Sequence, residues 1–143
     1  MLKVHHAGIV VRDMEKMLHF WVDTMGCKLE ADFEFANDFL DAVQNLGSVV
    51  NLRIVKVVDK DGFIVELLEY KSHPAPIQKN NQLCNCGIRH IAFTVDSVDE
   101  YYNRLIANGY QALSKPEYSE ELAMKLFFVR DPEDNLVEFI ELM

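Results

Sequence analysis

Sliding the chain by 84 positions superposes its start on its middle. His6 falls on His90, Val11 on Val95, Met14 on Val98, Met17 on Tyr101 and Leu18 on Tyr102. A second match lies late in each half. Asp59 to Glu69 (DKDGFIVELLE) superposes on Asp131 to Glu141 (DPEDNLVEFIE) at an offset of 72. An internal repeat constrains architecture more strongly than any local propensity. The 143 residues are therefore read as two copies of one supersecondary unit.

Each copy opens with a strand that feeds a helix. Val4 to Val11 is strand-like, Asp13 is an N-cap candidate, and Met14, Met17, Leu18, Trp21, Val22 and Met25 form a helical stripe ended by Gly26. In the second copy Ile88, Ile91, Phe93 and Val95 suit a strand, and Ser97 to Glu100 has the S-x-x-E form of a capping box. Val98, Tyr101, Tyr102, Leu105 and Ile106 continue as a helical stripe, with Gly109 as its stop. These stripes are core faces, because a helix on a sheet needs one.

Glu30 to Phe35, Val49 to Val58 and Phe63 to Glu69 read as the later strands of the first copy. Leu113, Lys125 to Val129 and Leu136 to Glu141 do so in the second. The order is β-α-β-β-β, linker, β-α-β-β-β, an α+β pattern. Module 1 spans about 1–71, the Pro- and Asn-rich linker about 72–86, and module 2 about 87–143, all in one domain. The two offsets differ by 12 residues, which places an insertion within Asp32 to Leu46. Phe39, Leu40 and Val43 suit a short helix there; it is either a surface insertion or the wall or lid of a pocket. The matching region of the second copy reads as a loop with Pro116.

A net charge of −9 excludes a phosphate-backbone binder, so no nucleic-acid partner is expected. No apolar run approaches the roughly 20 residues of a membrane span, and the start lacks a signal-peptide pattern. Three cysteines are too few and too scattered for a disulfide framework or a thiolate zinc site. Free thiols and a cytoplasmic location are the expectation.

Each copy carries one His in its first strand and one Glu in its last, at matching positions: His6 and Glu66, then His90 and Glu138. A carboxylate within Phe63-Ile64-Val65-Glu66-Leu67-Leu68 is costly without a partner. Two readings stand. The four side chains converge on a divalent cation, since imidazole and carboxylate without thiolate suit Zn, Ni, Co, Mn or Fe(II). Alternatively, each copy holds its own His–Glu hydrogen bond without an ion.

The segments VHHAGIVVRDMEKMLHFW, GFIVELLEY, GIRHIAFTVDSVDEYY and VRDPEDNLVEFIEL resemble, in order, the four recurring blocks of the vicinal oxygen chelate superfamily. That superfamily includes glyoxalase I, bleomycin- and fosfomycin-resistance proteins, methylmalonyl-CoA epimerase and extradiol dioxygenases. The resemblance implies two tandem βαβββ modules forming a cupped, barrel-like mixed sheet around one divalent metal ion. It implies His6, Glu66, His90 and Glu138 as ligands. His5 is set aside, being placed on the opposite side of the strand. Asp134 departs from the family's D-P-x-G-N turn, which carries Gly there.

A filled ligand set resembles the glyoxalase I and epimerase branches. In those branches the metal chelates vicinal oxygens of a small carbonyl substrate and a Glu moves the proton. Glu138 is then the first candidate base and Glu66 the second. A ring-cleaving Fe(II) dioxygenase is an alternative, as is a drug-binding or resistance protein. The resemblance also implies a homodimer. Arg53, Arg89, Lys125 and Arg130 are the basic residues considered for a substrate anion, with Asn51 and Arg53 expected on one face of their strand.

Overall fold

The computed structural model describes residues 1–76, 78 and 81–143. The chain divides into two units, Met1–Pro76 and Ile77–Met143. Part of the expected linker, Ile77, Lys79 and Asn80, lies outside the described residues.

Unit 1 contains β1 (His6–Val10), α1 (Met14–Leu18), a π-helical segment (His19–Thr24), β2 (Lys28–Phe35), α2 (Asp38–Gln44), β3 (Leu52–Val58) and β4 (Ile64–Tyr70). Unit 2 contains β5 (His90–Thr94), α3 (Val98–Ala107), β6 (Glu117–Ser119), β7 (Met124–Arg130) and β8 (Leu136–Leu142). Each unit forms a four-stranded mixed sheet of the same order: β1-β4-β3-β2 and β5-β8-β7-β6. The first strand runs parallel to the last, and the other pairings are antiparallel. The fold class is α+β, and β6 is a short strand where a loop was expected.

The repeat extends to individual hydrogen bonds. Asp59 Oδ1 accepts from the N–H groups of Asp61 and Phe63, and Asp131 Oδ1 accepts from those of Glu133 and Asn135. These carboxylates close the β3–β4 and β7–β8 turns as Asx turns do. Each turn has one left-handed residue, Gly62 at φ 86° and Asp134 at φ 70°. Asp134 adopts a conformation easier for glycine, and its carboxylate takes an ion pair from Arg130 at 2.9 Å. The helix caps correspond too. Asp13 accepts from the Lys16 N–H and Ser97 from the Glu100 N–H. Glu141 of β8 accepts from the Val98 N–H, adding a carboxylate at the start of α3.

Asp131 is 4% exposed, and burial pushes its carboxyl up to about 6 despite the N–H groups that favour ionisation. Folded protein therefore holds a proton here between pH 3.8 and about 6 that the unfolded chain has released. Stability contributed by this group falls as pH rises through that window. A carbon-13 titration of the Asp131 carboxyl is expected to show a midpoint near 6; a midpoint near 4 would refute the assignment.

One face of each sheet is core. In unit 1, Val55 and Val57 of β3 and Val65 and Leu67 of β4 are buried, as are Met14, Met17, Phe20 and Trp21. In unit 2, Phe127 stacks on Phe139 at 5.0 Å, Tyr101 packs on Phe139 and Tyr102 on Phe127. The first helix departs from the expected continuous α stripe. Met25 N–H donates to Phe20 O, and Thr24 Oγ1 donates to His19 O, both across five residues. The wider π turn rotates Phe20 and Thr24 into the interior and leaves Leu18 and Val22 half-buried.

Among the described residues no helix is long and apolar enough to cross a membrane. Cys27, Cys84 and Cys86 are free, and burial pushes the Cys27 thiol up to about 11.

Candidate functional site

Strand alternation sorts side chains onto two faces. In β1–β4 pairing Gly8 lies opposite Glu66, and His6 opposite Ile64. His6 and Glu66 thus share the face opposite the core. The same register recurs in unit 2, with Ala92 opposite Glu138 and His90 opposite Leu136. His6 Nε2 is 3.5 Å from Glu66 Oε2, and His90 Nε2 is 3.2 Å from Glu138 Oε2. These distances exceed the 2.7–2.9 Å of a charge-assisted hydrogen bond.

Both histidine side chains are open, at 39% and 40% exposure, whereas Glu66 and Glu138 are 15% and 13% exposed. His90 is therefore not a core histidine. It meets Phe128 edge-on at 5.3 Å. Each unit brings together its own predicted His–Glu pair. Among the described residues no group of three or more His, Cys, Asp or Glu is positioned to hold a metal ion.

His5 departs from expectation. It precedes β1, so strand alternation does not govern it, and its Nδ1 lies 2.7 Å from His6 Nδ1 with the rings edge to face. One of these nitrogens donates. When His6 is the donor, its Nε2 keeps a lone pair on the Glu66 side, the form that can bind a metal.

The four basic residues singled out in the sequence are held in structural contacts. Arg53 pairs with Glu69 in register, on the core side of the sheet rather than beside Glu66. It makes two bonds to Asp32, at 2.9 and 2.8 Å, and one to Glu15 of α1 at 2.9 Å. These contacts raise the guanidinium further and lower Asp32. Asn51 lies before β3 and its backbone bonds Ser72. Lys125 likewise faces away from Glu138 and pairs with Asp99 of α3. Arg89 donates to the buried Asn81 side chain, and Arg130 donates to Asn81 O and Asp134. Asn81 in turn donates to Asp134 O, fastening the expected linker to the β7–β8 turn.

Sequence reasoning missed Lys56. It lies directly opposite Glu66 in the β3–β4 ladder, with Nζ 3.8 Å from Glu66 Oε1. The signal was present: the Asp59–Gly62 turn fixes the hairpin register, and that register sets Lys56 against Glu66. The equivalent position in unit 2 is Phe128, opposite Glu138.

The inserted helix also belongs to this face. Leu40 of α2 packs with Val50 and Leu52, against Phe35, Ile54, Leu68 and Tyr70. Leu68 and Tyr70 alternate with Glu66 on the same side of β4. The Asn37 side chain caps α2 by accepting from Leu40 N–H, and Tyr70 donates its hydroxyl to Gln44. The insertion thus packs against one end of the face that carries Glu66.

The glyoxalase/bleomycin resistance protein/dioxygenase superfamily model matches residues 3–139. The chain belongs to this superfamily. Its relatives include the uncharacterized Bacillus subtilis protein YwkD, 28% identical over 142 residues, covering 96% of this chain and 95% of YwkD. A glyoxalase family protein from Bacillus cereus has a similar solved structure. Its TM-score is 0.87 at 22% identity, over all of this chain and 96% of that one. The fosfomycin resistance protein FosX from Listeria monocytogenes, solved with Mn(II) and sulfate, has a TM-score of 0.60 at 16% identity, covering all of this chain and 94% of that chain. Both structural likenesses carry the fold of the superfamily; the chemistry of this member rests on its own residues.

Proposed function

We propose that His6, Glu66, His90 and Glu138 ligate one divalent metal ion, and that the protein is a lyase or isomerase that moves a proton beside a carbonyl. The observation that carries this reading is the recurrence of the same His–Glu pair, in the same register, on the non-core face of each sheet. Two imidazoles and two carboxylates are a donor set that fits Zn, Ni, Co, Mn or Fe(II). When bound, such an ion supplies Lewis acidity to vicinal oxygens of the substrate.

The chain's own residues do the rest. Glu138 is the base, taking the proton from carbon α to the carbonyl and returning it. Its strand neighbour is Phe128, and the imidazole of His90 lies 3.2 Å from its Oε2. Glu66 has an ammonium beside it and is the weaker candidate, because a neutralised carboxylate has fewer free lone pairs. Leu40 and Tyr70 pack together at one end of the Glu66 face.

Metal analysis of purified protein tests the reading. Wild type is expected to hold about one ion per chain after reloading. Glu66→Gln and Glu138→Gln are each expected to bind it at least about tenfold more weakly. No uptake by wild type, or uptake unchanged in both variants, would refute it. Iron retained by Glu66→Gln, with oxygen uptake on a catechol, would replace it with a ring-cleaving dioxygenase.

A further inference from the structure

The two sheets differ at one row of the face that carries the His–Glu pairs. In unit 1 the row runs Gly8, Glu66, Lys56, Ala31, and in unit 2 it runs Ala92, Glu138, Phe128. An ammonium in one row thus corresponds to a phenyl ring in the other. Lys56 is flanked along its strand face by Ile54 and Val58, and its side chain is 29% exposed. A cation in such surroundings is favoured by a nearby anion, and Glu66 is that anion at 3.8 Å.

A divalent ion on Glu66 would change this balance. Glu66 would then spend its charge on the ion, and the ammonium of Lys56 would be left in excess. We propose that Lys56 is a specificity-determining residue that binds a carboxylate of the substrate, so that the substrate class is small 2-oxo or 2-hydroxy acids rather than neutral ketols. This rests on the metal reading above. A single excess positive charge matches a carboxylate, a monoanion, better than a phosphate ester, which is largely dianionic near neutral pH. The flexible four-carbon stem of lysine lets the ammonium move from Glu66 to a bound anion.

The test compares two probes of similar size, 2-oxobutyrate and 1-hydroxy-2-butanone, by ligand-observed NMR titration of zinc-loaded protein. Wild type and Lys56→Arg are expected to bind the carboxylate at least tenfold more tightly than the ketol. Lys56→Met is expected to lose that preference, with ketol affinity unchanged within twofold and zinc content equal to wild type. A preference kept by Lys56→Met, or absent from zinc-loaded wild type, overturns the inference while the metal reading stands. Failure of wild type to take up zinc or any other divalent ion overturns both. Inorganic phosphate is titrated alongside; tighter phosphate binding lost in Lys56→Met would replace the carboxylate with a phosphoryl group.

Discussion

A Glu138→Gln protein, measured at saturating metal, is expected to exchange the carbon-3 hydrogens of 2-oxobutyrate with solvent deuterium about 10² to 10⁴ times more slowly than wild type. The amide keeps the shape of the side chain and one possible ligand oxygen, but it cannot hold the transferred proton. Glu66→Gln under the same conditions is expected to lose less, because it leaves the proposed base, Glu138, in place. Deuterium wash-in by proton NMR reads both rates. If Glu66→Gln abolishes exchange while Glu138→Gln retains it, the base is Glu66 and not Glu138. Equal losses in the two variants would instead mean that both act only through the metal.

The second large effect concerns stability. Phe139→Ala is expected to cost about 3–5 kcal/mol. Phe139 has no exposed surface, lies nearly parallel to Phe127 at 9° and 5.0 Å, and contacts Tyr101 at 5.2 Å. Truncation removes both ring contacts and leaves a cavity between β7, β8 and α3. Ile140, the next residue along β8, is only half-buried on the other face. Its replacement by Ala is expected to cost less than half as much. Urea denaturation gives both values; a loss below about 1.5 kcal/mol for Phe139→Ala would mean that the cluster repacks around the gap.

Much of this fold is legible in the sequence because the repeat supplies two views of each element. Asp13 and Ser97, or Asp59 and Asp131, identify a cap and a turn together where either alone would be ambiguous. The inserted helix is legible from Phe39, Leu40 and Val43. Its docking is not, since the contact with Leu52 and Tyr70 depends on which face of the sheet is open. The π turn is likewise hidden: its apolar residues fit an α stripe until Phe20 and Thr24 are found buried. Strand alternation misplaces His5 because β1 begins only at His6. Lys56 is legible only once the hairpin register sets it against Glu66. For the site, the pairing of each His with its Glu was readable from equivalent positions, whereas the charge set against one of them required the hairpin register.

The alternation along β4 and β8 has a consequence for how such a protein changes over time. Val65 and Leu67 lie in the core of unit 1 and Val137 and Phe139 in that of unit 2, while Glu66, Leu68, Glu138 and Ile140 occupy the other side of the same strands. Neighbouring codons therefore answer to different selective pressures. A saturation scan of either strand would read as a comb, with thermal stability dropping at odd positions and catalytic output at even ones. New specificities can be explored on the even teeth without eroding the odd, which is a physical route by which one scaffold comes to host many reactions.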